Sequence, residues 1–279
     1  VTRAQANPKN VLGKYVVVQE IGRGGMGAVY KAWDTQLRRW TALKILLTTG
    51  AQEDVLRFRR EAQTAASLKH PNIVGIYEVT DSDDKHLIAM EYIEGRSLAG
   101  EKLPALKAAD LVARISRALE YAHSRGVIHR DIKPHNIMVD GQGTPFLMDF
   151  GLAKSLEGPS HLTVTGTVVG TPGYMSPEQA AGRTSQVDRQ SDVYSLGAVL
   201  YEVLTGRAPF KGANAVETLK MVMNDDPVPP SELNPAVLRD LETIILKCLE
   251  KERSKRYPSA KALAQDLEQF VEGRAIVAR

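Results

Sequence analysis

Apolar residues in the first third of the chain fall into short runs of the kind that form β-strands. Runs at 16–18, 28–30 and 42–46 are separated by glycine or polar turn residues. Short apolar runs between turn signals are typical of strands. A helical spacing of apolar residues over 55–66 interrupts them and ends at 70–72. The pattern predicts a sheet-rich unit with one main helix.

Helical spacing dominates after residue 95. Leu111, Ile115, Leu119 and Ala122 recur on one face of a helix that stops at Gly126, and glycine is common just beyond a helix end. Four further helices are predicted at 192–206, 214–224, 236–250 and 259–272. The chain as a whole therefore predicts an α+β protein with a small sheet lobe, a short hinge and a larger helical lobe.

These changes of pattern divide the chain into five segments. They are a polar tail at 1–12, a small lobe at 13–90, a hinge at 91–95, a helical lobe at 96–272 and a final tail or truncated linker at 273–279. Between Gly151 and Ser176 the helical lobe has little periodicity and much Ser, Thr and Gly. Loops of that length inside a compact domain are usually functional.

The composition of the chain argues against several classes of protein. The 279 residues are 43% hydrophobic and 25% charged, and a net charge of +3 is too small to indicate nucleic-acid binding. A single cysteine, Cys248, excludes a disulfide framework and favours a packed helix thiol. The histidine spacing suits no zinc site. With no signal peptide and no apolar run long enough to cross a bilayer, we expect a soluble, cytoplasmic chain.

One polar stretch carries the residue types that phosphoryl transfer requires. It reads His129-Arg130-Asp131-Ile132-Lys133-Pro134-His135-Asn136, followed by Asp149-Phe150-Gly151. A candidate base (Asp131), a cation (Lys133) and two candidate metal ligands (Asn136 and Asp149) lie within 21 residues. Phosphoryl transfer needs mainly an oriented nucleophile and positive charge at the transferring group. Taken singly, these motifs also fit surface ion pairs or turns. We interpret His129 as structural and the other histidines as surface or loop residues.

A glycine-rich stretch lies near the start of the small lobe. It reads Gly22-Arg23-Gly24-Gly25-Met26-Gly27 and fits a pattern shared by dinucleotide-binding folds, phosphate-binding hairpins and ordinary turns. In the dinucleotide case a helix opens at the glycines. Here residues 28–33 alternate and are rich in strand formers. We therefore predict a hairpin turn whose backbone N–H groups approach phosphates.

Lys44 is a cation within an otherwise apolar predicted strand. A buried charge needs a partner, and Glu61 on the predicted helix is the best candidate. The pair would place the ammonium near the α- and β-phosphates of a nucleotide. The alternative is a surface lysine at a strand edge. Val29 and Ala42 are either core residues or an apolar roof over adenine.

Taken together, these motifs resemble those of the eukaryotic-like (Hanks-type) protein kinases, most closely the bacterial Ser/Thr kinases. The resemblance extends from Tyr15 to about Phe270. It also includes Gly170-Thr171-Pro172-Gly173-Tyr174-Met175-Ser176-Pro177-Glu178, then Asp192-Val193-Tyr194-Ser195-Leu196-Gly197, and Arg256. It implies the bilobal kinase fold with an activation segment at 149–178. Ser176 stands where many family members have Ala.

The resemblance assigns roles to the chemical residues. Asp131 would orient the substrate hydroxyl, Lys133 would neutralise the transferring phosphoryl group, and Lys44 with Glu61 would position the nucleotide. Asn136 and Asp149 would hold Mg²⁺, with Mn²⁺ as a second candidate. ATP would contact Gly22, Gly24, Gly25, Gly27, Val29, Ala42, Lys44, Met90, Glu91, Ile93 and Met138. Of these, Met90 would be the gatekeeper, the backbone of Glu91 and Ile93 would bind adenine, and Met138 would pack beneath the ring.

Supporting and regulatory roles also follow from the resemblance. Glu178 would pair with Arg256, and Asp192 would brace the backbone of His129 and Arg130. Arg130 would receive a phosphate delivered by the aperiodic loop, in which the candidate phosphorylation sites are Thr163, Thr165 and Thr167. The alternative is that this loop is merely solvated. Lys133 and Thr171 favour Ser/Thr over tyrosine specificity.

Other classes of protein share parts of this pattern. A nucleotide-binding pseudokinase scaffold shares the fold, but usually lacks a residue equivalent to Lys44, Asp131, Asn136 or Asp149. A small-molecule phosphotransferase shares the lobes but not the segment ending at Glu178. The kinase interpretation implies protein substrates, and is compatible with dimerisation for trans-autophosphorylation. It also leaves two alternatives for localisation: a free cytoplasmic enzyme, or the cytosolic domain of a membrane-anchored kinase.

Overall fold

A computed structural model describes residues 7, 10–24, 27–46, 62–82, 85–150 and 172–278. Several predicted site residues lie outside these ranges: Gly25, Glu61, Thr163, Thr165, Thr167 and Thr171. The predicted helix over 55–66 is described only for its last turn, where residues 62–66 are helical.

The small lobe contains an antiparallel sheet of six strands. Their order across the sheet is β1-β2-β3-β4-β6-β5. The strands are β1 (Val11–Leu12), β2 (Tyr15–Gly24), β3 (Gly27–Asp34), β4 (Arg39–Leu46), β5 (Ile76–Ser82) and β6 (Lys85–Glu91). The prediction of a tail at 1–12 is wrong for Val11 and Leu12, which pair with Val16 and Tyr15. Burial of the Leu12 side chain, which is 4% exposed, explains why these residues join the sheet.

The register of the central strands places Lys44 on the face that lines the cleft. Val29 pairs with Lys44 across β3 and β4, and Ile88 pairs with Lys44 across β4 and β6. Alternate residues of a strand share one face. Ala42 and Leu46, two residues to either side of Lys44, belong to an apolar cluster with Val29 and Ile88. Strand alternation therefore puts the Lys44 ammonium beside this cluster.

A second sheet follows the hinge and connects the two lobes. It consists of β7 (Gly95–Ser97), β8 (Ile137–Asp140) and β9 (Pro145–Leu147) in that order. The Val74 amide donates to the Leu147 carbonyl, and the Leu147 amide donates to the Asn72 carbonyl, both at 2.9 Å. These bonds attach the small lobe to the floor of the cleft next to the catalytic segment.

The large lobe is helical. Its helices are α1 (Ala105–His123), α2 (Pro177–Ala180), α3 (Arg189–Thr205), α4 (Ala215–Asn224), α5 (Pro230–Leu233), α6 (Arg239–Cys248) and α7 (Ala260–Val271). The five helices predicted for this lobe are present within a few residues of their expected ends. The four-residue helices α2 and α5 were not predicted, because one turn is too short to show a periodic pattern.

Helices α1, α3 and α6 form the core of the large lobe. Helix α3 is buried on nearly every side, and glycine at its end adopts the left-handed conformation, with φ +82° at Gly206. A Cβ at Gly197 would lie 2.3 Å from the Cβ of Cys248, so only glycine allows α3 and α6 to approach this closely. Cys248 is fully buried, which raises the pKa of its thiol. The packed-thiol interpretation of Cys248 is confirmed.

Part of the final segment packs on the large lobe. The backbone amides of Val277 and Ala278 donate to the buried carboxylate of Asp266, at 2.7 and 2.8 Å. The Tyr257 hydroxyl donates to the same carboxylate at 2.7 Å. The interpretation of 273–279 as a tail is therefore wrong for its last described residues. Across the described ranges, no helix combines the length and apolar character that a membrane span requires.

Candidate active site

The loop between α1 and β8 holds Asp131 in a compact polar cluster. The Lys133 ammonium donates to Asp131 Oδ2 at 2.9 Å. The Asn136 side-chain amide donates to the same oxygen at 3.0 Å and to the Asp131 backbone carbonyl at 2.8 Å. Within the described residues, Asp131 Oδ1 receives no such bond. One carboxylate oxygen is thus fixed by neighbours while the other stays available as an acceptor.

The backbone of this loop is strained and is held by a buried carboxylate. Arg130 has φ +66°, in the left-handed region that non-glycine residues rarely adopt. Asp192, at the start of α3 and 1% exposed, accepts hydrogen bonds from the backbone amides of His129 and Arg130, both at 2.8 Å. Two short bonds to one carboxylate stabilise the turn that presents Asp131.

Two histidines support the loop. His129 is fully buried, its Nε2 lies 2.9 Å from the Met148 carbonyl, and its ring lies 4.6 Å from the Phe150 ring. His123 was predicted at the surface or in a loop, and this is wrong, because its side chain is 4% exposed and its Nε2 lies 2.8 Å from Asp192 Oδ2. Ile115, Leu119 and His123 follow one another at intervals of four residues, and this spacing is the sequence signal that places His123 on the buried face of α1.

Asp149 and Lys44 meet across the cleft. The Lys44 ammonium donates to Asp149 Oδ1 at 2.8 Å. Asp149 has φ +61°, and the Met148 amide just before it donates to the Asn136 carbonyl at 3.0 Å, which brings Asp149 and Asn136 together. Burial raises the pKa of Asp149, but Lys44, His129 and Lys133 outweigh it, so the pKa lies below its usual value. The predicted partner Glu61 lies outside the described residues and stays a prediction.

Apolar side chains of the small lobe and the hinge pack together in one cluster. Val29, Ala42, Met90 and Ile93 belong to one packed group, and Met90 is 3% exposed. The Thr41 hydroxyl donates to the Met90 carbonyl at 2.7 Å, which fixes the strand just before the hinge. The Glu91 backbone amide donates to the Gly75 carbonyl at 2.8 Å. Met138 is half-buried on β8, where it pairs with Phe146 of β9. Val29, Ala42, Met90 and Ile93 thus lie in one apolar cluster, and the contacts with adenine stay a prediction.

A second cleft adjoins Asp131. Its lining residues are Arg130, Asp131, Ile132, Lys133, Tyr174, Met175, Gln179 and Ser195. The Tyr174 hydroxyl donates to the Glu202 carboxylate, so the segment that precedes α2 is attached to α3. Sequence reasoning did not identify Tyr174, Gln179 or Ser195 as part of this site. Their contribution arises from contacts between segments far apart in sequence.

Glu178 and Arg256 form a buried ion pair that fixes α2. Arg256 Nη1 and Nη2 donate to the two Glu178 oxygens, each at 2.9 Å, and Ser191 Oγ donates to Oε1 at 2.6 Å. Glu178 is 4% exposed and Arg256 2% exposed. Burial raises the pKa of Glu178, but the hydrogen bonds from Arg256 and Ser191 outweigh it and lower the pKa to about 2.

Replacing Arg256 with Met is expected to lower the free energy of unfolding by about 3–5 kcal/mol, because Glu178 keeps a buried charge without its partner. In the wild type, the depressed pKa of Glu178 adds stability at a pH above about 4.5, and that stability is lost as the pH falls towards 2. Urea unfolding at several pH values measures both effects. In Arg256→Met, burial without the partner should raise the pKa of Glu178, so the pH dependence should reverse and stability should fall as the pH rises above about 4.5.

The matched control is Lys255→Met. Lys255 pairs with Glu252 at 2.9 Å, but the two side chains are 57% and 65% exposed. An exposed pair contributes little, so Lys255→Met should leave the urea unfolding midpoint close to that of the wild type. Equal stability of Arg256→Met and the wild type would contradict the assigned role of the buried pair.

Comparison with known proteins agrees with this geometry. The protein kinase domain family matches residues 15–267. The chain is 40% identical over 271 residues to serine/threonine-protein kinase PknB of Mycobacterium leprae, covering 93% of this chain and 43% of that protein. It is 41% identical over 266 residues to serine/threonine-protein kinase PrkC of Bacillus subtilis, covering 93% and 41%. The chain therefore spans less than half the length of these relatives.

The fold is also found among solved structures. A crystal structure of a double mutant of the Mycobacterium tuberculosis PknI kinase domain superposes with a TM-score of 0.74 at 27% identity, covering 94% of this chain and 98% of that one. The predicted bilobal fold is confirmed. The extent of the family match and the identity to named kinases together place this chain in the protein kinase family, as a domain of the bacterial serine/threonine type.

Proposed function

We propose that this domain transfers the γ-phosphoryl group of ATP to serine and threonine hydroxyls of proteins. The observation that carries the proposal is the cluster at Asp131, where Lys133 and Asn136 both hold Oδ2 at 2.9 and 3.0 Å. The cluster borders a small cleft formed partly by Tyr174 and Met175. A fixed carboxylate beside a cation and an open cleft suits an incoming hydroxyl.

Asp131 acts on the acceptor. Its Oδ1 accepts the hydrogen bond of the substrate hydroxyl and orients the oxygen for in-line attack. Its side chain is 24% exposed and that of Lys133 22% exposed, so both reach the cleft while keeping their mutual bond. The Lys133 ammonium neutralises negative charge on the transferring group. Positioning and electrostatics, without covalent chemistry, are enough for this step.

The donor atoms near Asp131 fit magnesium. Asn136 Oδ1 and Asp149 Oδ2 receive no hydrogen bond from the described residues, and amide and carboxylate oxygens are ligands that hard cations prefer. The described residues contain no group of three or more His, Cys, Asp or Glu side chains that could hold a metal. When bound, Mg²⁺ would offset phosphate charge, and Mn²⁺ would suit the same oxygens.

The glycine-rich hairpin is suited to the phosphates of ATP. Strands β2 and β3 remain paired up to Gly24 and Gly27, so among the described residues a strand, and no helix, follows the glycines. Gly27 has φ +154°, and a Cβ there would lie 2.1 Å from the Ile45 carbonyl oxygen. Glycine at this position lets β3 approach β4 closely. Gly22 and Gly24 lack side chains that would keep phosphates away from the backbone.

Regulation by loop phosphorylation remains part of the proposal. Arg130 has an exposed side chain, and no carboxylate of the described residues pairs with it. A phosphothreonine from Thr163, Thr165 or Thr167 would supply the missing anion and order the segment. Thr171 would contribute to Ser/Thr selectivity. Protein substrates and trans-autophosphorylation between two copies belong to the same proposal.

The pseudokinase alternative has less support. Lys44, Asp131, Asn136 and Asp149 are all present, and the first two are hydrogen-bonded within the site. The relatives are described as serine/threonine-protein kinases. A scaffold without catalysis would not require this arrangement.

Phosphoamino acid analysis tests the proposal. The protein is incubated with γ-³²P-ATP, Mg²⁺ and casein, and the labelled acceptor is hydrolysed. We expect phosphoserine and phosphothreonine, without phosphotyrosine. Asp131→Asn protein purified in parallel controls for contaminating kinases. Label on tyrosine alone, or no label above that of the Asp131→Asn control, would contradict the proposal.

A further inference from the structure

Gln179 lies where the acceptor cleft meets the loop that carries Asp131. It occupies the third position of α2, is 2% exposed, and contributes to the lining of the cleft. A buried amide side chain must satisfy both its donor and its acceptor. The partners it finds belong to two different segments of the chain.

The acceptor atom of Gln179 serves its own helix. Oε1 accepts from the Ser176 backbone amide at 3.1 Å and lies 3.3 Å from Ser176 Oγ. This is half of a capping box, a common device at helix starts. The same box would form with glutamate in place of glutamine. Capping therefore explains the oxygen of Gln179 but not its nitrogen.

The donor atom of Gln179 reaches the catalytic loop. Nε2 donates to the Arg130 backbone carbonyl at 2.8 Å, across 49 residues of sequence. That carbonyl belongs to the peptide group whose N–H is that of Asp131. Asp192 holds the Arg130 amide at 2.8 Å. The two bonds therefore fix the peptide groups before and after Arg130, a residue with φ +66°.

We propose that Gln179 is a positioning residue that couples the acceptor cleft to the catalytic carboxylate. By holding the Arg130 carbonyl, it sets the orientation of the Arg130–Asp131 peptide and thereby of the Asp131 side chain. Because Gln179 also anchors Ser176 and lines the cleft, movement of the acceptor-binding segment is transmitted to Asp131. The inference rests on the proposed function of Asp131.

The substitution Gln179→Glu tests the hydrogen bond that Gln179 Nε2 donates to the Arg130 carbonyl. The substitution keeps an oxygen for the Ser176 amide but sets a second oxygen against the Arg130 carbonyl. Misplacement of a catalytic group by about 1 Å can reduce the rate roughly 100-fold, so we expect kcat for peptide phosphorylation to fall about 10- to 100-fold. The KM for ATP should stay unchanged, because the hydrogen-bond partners of Gln179 are Ser176 and Arg130, neither of which is proposed to contact ATP.

A pH profile separates positioning from general loss of structure. A protonated glutamic acid can donate to the Arg130 carbonyl, and burial beside a carbonyl oxygen raises the pKa of such a carboxyl group. The ratio of Gln179→Glu to wild-type kcat should therefore rise as the pH is lowered from about 8 to about 6. Gln179→Met has similar size without a donor, so it should lose kcat at every pH in that range.

Gln190→Glu is the matched control. Its Nε2 donates to the carbonyls of Arg253 and Tyr257, at 2.9 and 3.2 Å, so the change removes a similar amide-to-backbone bond away from Asp131. This variant should keep its kcat. The positioning role would be overturned by a wild-type kcat in Gln179→Glu or Gln179→Met. It would also be overturned if kcat fell in all three variants in proportion to the decrease in their melting temperatures. A wild-type protein without transfer would instead overturn the proposed function itself.

Discussion

Replacing Asp131 with Asn is expected to lower kcat for phosphotransfer by about 100- to 10,000-fold while ATP still binds. The substitution preserves shape, so Lys133 and Asn136 keep a neighbour of the same size. It removes the charge that pairs with the Lys133 ammonium at 2.9 Å and that, in the proposed mechanism, orients the substrate hydroxyl. Initial rates with γ-³²P-ATP and a peptide acceptor measure kcat.

Nucleotide binding by the same variant can be followed by fluorescence. The chain has two tryptophans, and both Trp33 and Trp40 lie on β3 and β4, the strands that cover the cleft. Their rings contact each other with centroids 5.1 Å apart. We expect the ATP titration of Asp131→Asn to match that of the wild type, because the proposed role of Asp131 concerns the acceptor hydroxyl and not the nucleotide.

The control is Asp140→Asn at the end of β8. The Asp140 carboxylate accepts from the backbone amides of Gln142 and Thr144, at 2.9 and 2.8 Å, and so shapes a turn away from the catalytic loop. Asparagine can accept in such turns, so activity should be retained. Undiminished transfer by Asp131→Asn would sink the assignment of Asp131 as the residue that orients the acceptor.

Local patterns were enough to predict the elements that frame the cleft. Strand alternation around Lys44 places this cation and Ala42 on one face, and a strand following Gly27 excludes the helix of a dinucleotide-binding fold. These inferences succeed because side-chain direction in a strand repeats every two residues. The 3.6-residue repeat of a helix, applied to α1, identifies His123 as buried, although its polar side chain favoured a surface or loop position.

Contacts between distant segments could not be predicted in this way. The bonds from Lys44 to Asp149 and from Gln179 to Arg130 join residues 105 and 49 positions apart. No periodicity encodes such a pair, because it depends on how the lobes and loops are arranged in space. The resemblance to a family motif identified Asp149 as a site residue, because a carboxylate can bind a metal ion. It did not identify Gln179, because in the sequence this residue fits an ordinary helix cap.

Replacing Lys44 with Met is expected to lower kcat/KM for ATP-dependent transfer by about 100- to 1,000-fold, the range measured when one electrostatic stabiliser is removed from an active site. The Lys44 side chain is 10% exposed and its ammonium lies 2.8 Å from Asp149 Oδ1. Methionine keeps most of the apolar stem but removes the charge. The pKa of Asp149 should then rise, because burial is no longer opposed by Lys44.

Two further substitutions separate charge from geometry. Lys44→Arg keeps the charge but places a wide planar group where a compact ammonium is enclosed, so it should also lose most activity. Lys85→Met removes a lysine with an exposed side chain from the start of β6, and should leave transfer unchanged. Full activity in Lys44→Met would show that the contact with Asp149 serves the fold alone, because removing the cation of a purely structural pair does not lower the rate of phosphoryl transfer.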